Sequence, residues 1–193
     1  KTFPMNLTPK QRKRFRQSRV NGHLRLKSEG TEAGFTKPRD KHSFLGVPSV
    51  TVAAAHLTTA NTMSEASTGA KTVTAVGALS GYTLHTTIDT LQLADATNSV
   101  TLGAAAQNVT GGTGADTVTM INSASGTINL AGGSNVVNVG DGVNTTSATI
   151  SASGSYSVNL TGTAASSTIK NTQLTGASGV TETSSGAQQV TVS

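Results

Sequence analysis

The sequence has no cysteine and no tryptophan. Without cysteine there is no disulfide framework, no thiolate metal site and no cysteine nucleophile. Aromatic residues make up 3% of the 193 residues and apolar residues 35%, a lean supply for an ordinary globular core. The apolar side chains present are mostly Val, Ala, Ile and Leu. These suit a thin core between stacked β-layers better than a rounded core built on large rings. No apolar run approaches the roughly 18 residues of a membrane-spanning helix, so no membrane span is expected. The N-terminus lacks the apolar region of a signal peptide. It opens on Lys1 rather than Met, which leaves room for a processed or missing upstream segment.

Charge is scarce and unevenly placed. Only 12% of residues are charged, and the net charge is +5. Residues 1–46 hold twelve Lys and Arg against Glu29, Glu32 and Asp40, which is +9. Residues 47–193 hold Lys71 and Lys170 against Glu65, Asp89, Asp95, Asp116, Asp141 and Glu182, which is −4. All four phenylalanines, Phe3, Phe15, Phe35 and Phe44, lie in the basic segment. The length suits one domain plus an extension. The chain therefore divides into a basic arm, 1–46, and a weakly acidic body, 47–193.

Within the arm, Thr8-Pro9-Lys10-Gln11 reads as a helix start, with a capping Thr, a Pro at the first helical position and a Gln completing a capping box. Asn21-Gly22 reads as its stop. The spacing predicts a helix over about 9–20 with cations on most faces and only Phe15 and Val20 as sizeable apolar groups. Such a helix has no apolar stripe to dock on its own body, and its like charges repel. It is expected to order against an acidic partner. The rest of the arm is broken by Gly30, Gly34 and Pro38 and reads as extended. Arg12, Lys13, Arg14, Phe15, Arg16, Arg19, Phe35 and Phe44 are the candidate partner-binding residues. They would contact an assembly subunit or nucleic acid; a solvated tail is the plain alternative.

The body is dominated by Thr, Ser, Ala, Gly, Val and Asn, with short β-branched runs between turn residues. One inward residue per run gives Leu91, Val100, Val109, Val118, Ile128 and Val137. Their steps are nine or ten residues, with strand alternation inside each run. A strand and turn every nine or ten residues marks a solenoid, two such units making a coil of roughly 18–20 residues. Whether the coil has two faces or three, and whether residues 50–85 join the stack, stay open at this point. The competing reading is a meandering antiparallel sandwich. The regular spacing and the missing aromatic anchors weigh against it. The expected fold is thus all-β, a parallel β-solenoid with an extended, partly helical basic arm.

Gly111-Gly112-Thr113-Gly114-Ala115-Asp116-Thr117-Val118-Thr119 resembles the calcium-binding nonapeptide G-G-x-G-x-D-x-U-x of RTX proteins at every specified position. The resemblance implies a parallel β-roll in which turn carbonyls and the Asp carboxylate hold calcium between successive turns. It implies Asp116 as the carboxylate ligand, with Gly112 and Gly114 shaping the turn. The flanks depart from the pattern. Leu102–Gln107 has no Asp, and Gly132-Gly133-Ser134-Asn135-Val136-Val137 puts Val137 in its place. The alternative is that the glycines serve a tight turn needing positive φ. In texture the body also resembles bacterial surface-layer and RTX-like adhesin proteins.

No enzymatic site is expected. His23, His42, His56 and His85 lack metal-like spacing, and no Gly-x-Ser-x-Gly elbow is present. Carbohydrate-cleaving solenoids need clustered carboxylates, whereas this body holds Asp89 and Asp95 as a sparse pair, Tyr82 and Tyr156 as its aromatics, and no arginine. In overall build the chain resembles a bacteriophage capsid decoration, or cement, protein. That resemblance implies a place on the virion surface, a major shell protein as partner, homo-oligomers with a trimer favoured, no cofactor and no membrane. Two alternatives stand beside it. One is a secreted RTX-like or surface-layer module at the cell surface that folds with calcium. The other is a nucleic-acid-binding protein acting through its arm.

Overall fold

The structure is a computed structural model. It describes residues 48–57, 69–140, 142–145, 147–162, 166–183, 185 and 189–193, and, as backbone strands alone, 15–20, 23–28, 34–35, 41–45 and 62–65. In chain order the strands are β1 (Phe15–Val20), β2 (His23–Ser28), β3 (Gly34–Phe35), β4 (Lys41–Leu45), β5 (Ser49–Ala53) and β6 (Thr62–Glu65). They continue with β7 (Thr72–Val76), β8 (Tyr82–Thr83), β9 (Thr90–Gln92), β10 (Asn98–Thr101), β11 (Asn108–Thr110), β12 (Asp116–Thr119) and β13 (Thr127–Asn129). The last are β14 (Ser134–Val139), β15 (Thr149–Ser151), β16 (Ser155–Leu160), β17 (Ser166–Ile169), β18 (Gly179–Glu182) and β19 (Gln189–Val192), with a short helix α1 (Asn171–Thr175) before β18.

From β7 to β16, successive strands alternate between two parallel sheets. One runs β3-β5-β7-β9-β11-β13-β15 and the other β8-β10-β12-β14-β16-β18. This is a parallel β-solenoid of about six turns. Each turn contributes one strand to each face, so the coil is two-sided along most of its length. The nine-residue step is half a coil. Val73, Leu91, Val109, Ile128 and Ile150 stack in register in one sheet. Tyr82, Val100, Val118, Val137, Val158 and Val180 stack in the other. The six residues singled out by spacing fall alternately in the two columns. β5, β7 and β8 pair directly into these sheets, so these strands from the less regular segment, residues 50–85, belong to the stack.

The core is the buried members of these two columns plus the next inward position, at or just past the strand ends, Leu93, Leu102, Leu130, Val139 and Leu160 among them. Each fully buried Val, Leu or Ile adds roughly 1.5–3 kcal/mol. A coil therefore holds to its neighbours through a few such residues and the strand ladders. The repeat lengthens toward the C-terminus, from 18 residues (Val100 to Val118) to 22 (Val158 to Val180). The extra residues build a third side. Asn144 bridges Thr168 in parallel, and β17 pairs with β19. α1 packs against β15 and ends that sheet. The other sheet runs on to β18, where Val180 is 54% exposed although its column mates are buried.

The arm departs from one expectation. Of the helix expected over about 9–20, residues 9–14 lie outside the described residues, while Phe15–Val20 is a strand antiparallel to His23–Ser28. Asn21-Gly22, read as a helix stop, lies outside the described residues. β2, β4 and β6 then pair in parallel, and β3 pairs with β5 at the edge of the seven-stranded sheet.

Candidate functional site

The chemistry-bearing residue picked out by the nonapeptide lies inside the coil. Gly111–Ala115 form a turn, and Asp116 opens β12 with its side chain inward, 1% exposed. It sits one coil after Asn98 and one coil before Asn135, at steps of 18 and 19 residues. Asn98 pairs with Asp116 in the ladder, and each of the three stands two residues before a core valine, Val100, Val118 or Val137. All three are buried.

The column is a hydrogen-bonded ladder. Asn98 Oδ1 accepts the Leu79 N–H at 3.0 Å. Asn98 Nδ2 donates to the Ala94 carbonyl (3.0 Å), the Ala96 carbonyl (2.8 Å) and Asp116 Oδ1 (2.7 Å). The Asp116 N–H donates to Asn135 Oδ1 at 2.9 Å. Asn135 Nδ2 donates to the carbonyls of Gly132 (2.9 Å) and Ser155 (3.0 Å). The asparagines thus tie their own turn to the turns on either side. Asp116 Oδ2 is buried and has no hydrogen-bond partner. Burial raises the Asp116 carboxyl above its ordinary pKa; the Asn98 amide and the backbone of Gly112 and Asn98 pull the other way, and the charge of Asp95 adds to the rise.

The glycines of the motif are required, but by close approach. Positive φ was the expected reason, yet Gly111, Gly112 and Gly114 are absent from the positive-φ residues. A Cβ on Gly114 would collide with the Ala96 carbonyl of the preceding coil, and one on Gly112 would lie 2.7 Å from both the Ala94 carbonyl and Asp95 Oδ1. The nearby acids are spent on backbone. Asp95 Oδ1 accepts the Thr113 N–H at 2.8 Å, and Asp89 Oδ2 accepts the Lys71 N–H at 2.6 Å.

A second set of buried amides escaped sequence reasoning. Gln107 Oε1 accepts the N–H groups of Gly103 (2.7 Å) and Ala104 (2.9 Å), while its Nε2 donates to the carbonyls of His85 and Ile88, both at 2.8 Å. Gln173 repeats the device on the C-terminal coil. Its Nε2 donates to the carbonyls of Thr145 (2.8 Å) and Ala148 (2.9 Å), and its Oε1 accepts from the Thr145 hydroxyl at 2.7 Å. On the outer face of the sheet containing β12, Thr119, Asn138, Asn159 and Thr181 form a further hydrogen-bonded row. The signal for the inner ladder was present in sequence as Asn or Asp two residues before Val100, Val118 and Val137, at the coil period.

Among the described residues no group of three or more His, Asp or Glu could hold a metal ion, and no helix is long and apolar enough to cross a membrane. Of the candidate arm residues, Arg12, Lys13 and Arg14 lie outside the described residues. Phe15, Arg16 and Arg19 are in β1, Phe35 in β3 and Phe44 in β4, described there by backbone alone. No protein-family model matches the chain, and no curated protein or solved structure matches it significantly.

Proposed function

We propose that the chain is a non-enzymatic structural protein whose solenoid projects from a larger assembly and whose basic arm anchors it there. In its specific form, the assembly is a virion shell and the chain decorates it. The observation that supports this reading most is the division of charge. The arm carries +9 and the body −4, and the body's buried amides are consumed in joining coil to coil. A stack whose polar groups bond to one another is suited to stiffness. A basic, phenylalanine-bearing segment is suited to holding an acidic partner surface.

The test is incorporation. A full-length variant with Arg12, Lys13, Arg14, Arg16 and Arg19 all changed to Ser is expected to fold as wild type by circular dichroism, yet fail to co-sediment with the native assembly. Incorporation equal to wild type would remove the anchor. Binding of the wild type to DNA and RNA alike, falling steeply with salt, would move the reading to nucleic acid.

A further inference from the structure

The nonapeptide resemblance implies calcium, and the residues in place do not fit it. Calcium takes six to eight oxygen ligands, with carboxylates prominent among them. The residues in register with Asp116 on the adjacent coils are Asn98 and Asn135, so no second carboxylate stands in the column. Asp116 Oδ1 faces the N–H of the Asn98 amide at 2.7 Å, a donor that competes with any cation. Asp95, the nearest other acid, has Oδ1 engaged by Thr113. Asp116 Oδ2 lies against Gly111, where a Cβ would overlap it and the Leu130 carbonyl.

What remains is an orphaned Oδ2 at a position where the neighbouring coils carry an amide nitrogen. Asn98 Nδ2 donates to carbonyls two and four residues earlier in its own turn. Asn135 Nδ2 donates to the carbonyl three residues earlier. Asp116 is the rung without such a donor. We propose that Asp116 serves as an asparagine surrogate in this buried ladder, its Oδ2 completed by a proton, and that residues 111–119 form a calcium-independent turn and strand. The surroundings favour the neutral form. Asp95 is the charged residue in the turn 93–98, and β10, β14 and the turn 130–133 carry none.

The test needs the full chain, excess EGTA, calcium chloride and the variant Asp116→Asn. Calorimetric titration of calcium into the wild type is expected to show no binding, and the melting temperature is expected to be the same in EGTA and in calcium. Asp116→Asn is expected to melt at or above the wild-type temperature at neutral pH. A carboxyl with a raised folded pKa contributes stability at low pH that is lost as pH rises through that pKa. The wild type should therefore draw level with the variant as pH is lowered. A calcium-dependent rise in wild-type melting temperature that Asp116→Asn abolishes would overturn the proposal. So would a variant less stable than wild type at neutral pH in EGTA. The titration on unaltered protein keeps the question decidable if the variant does not fold.

Discussion

Replacing Gln107 with Leu keeps most of the side-chain volume and removes every hydrogen bond the side chain makes. Gln107 is 2% exposed, so water does not readily take over. Its amide joins the N–H groups of Gly103 and Ala104 to the carbonyls of His85 and Ile88, which lie 22 and 19 residues upstream. The His85 carbonyl keeps the Ile88 N–H at 3.0 Å. The groups left wanting are therefore the N–H of Gly103, the N–H of Ala104 and the carbonyl of Ile88. A buried group stranded in this way costs about 1–3 kcal/mol, and with Gly103 and Ala104 only half-buried the variant should lose about 2–4 kcal/mol. That is a large share of the ~5–15 kcal/mol of a typical domain. Urea denaturation followed by circular dichroism reads the loss, and hydrogen exchange should show the amides of Gly103 and Ala104 losing protection first. Gln92, exposed and bonded to Thr74, is the control; Gln92→Leu should stay within about 0.5 kcal/mol. A Gln107→Leu variant as stable as that control, with both amides still protected, would refute the reasoning.

Close approach of coils makes Gly114→Ala destabilising by about 1–3 kcal/mol through overpacking, whereas Gly140→Ala, whose Cβ would find its nearest atom at 3.6 Å, should change the urea midpoint little. Ile128, 0% exposed, should cost about 2–5 kcal/mol on truncation to Ala; Val180→Ala, in the open last coil, should cost far less by the same measurement. Burial raises the phenol pKa of Tyr82 and Tyr156, slightly offset at Tyr82 by the His85 backbone. Their contribution is present below the ordinary tyrosine range and lost as pH climbs through the raised values, so Tyr156→Phe should blunt alkaline unfolding followed by phenolate absorbance.

The inward column was legible because each strand is short and offers one strongly apolar side chain per half-coil. Leu91, Val109 and Ile128 alternate with Val100, Val118 and Val137, and the structure sorts them into two sheets. The ladder of Asn98, Asp116 and Asn135 was not read as one, because an asparagine ahead of a short strand reads as turn punctuation; its inward direction follows from the core valine two residues on. Asp116 was singled out by its ligand-like motif, and an acid in a ligand motif and an acid set between two asparagines of a buried column look alike in one sequence. Gln107 and Gln173 gave no signal, because a corner glutamine has no period of its own. The third side near the C-terminus lies beyond Val137, the last residue of the regular spacing. In the arm, Thr8–Gln11 and Asn21-Gly22 were read as the two ends of one helix; over Phe15–Val20 the backbone is a strand paired with His23–Ser28.

The central claim, a solenoid body held to an assembly by its basic arm, is tested most directly by electron microscopy of the native material carrying this chain. The account predicts regularly spaced projections on a surface, with the arm running between neighbouring subunits. A free, dispersed monomer in that material would contradict it.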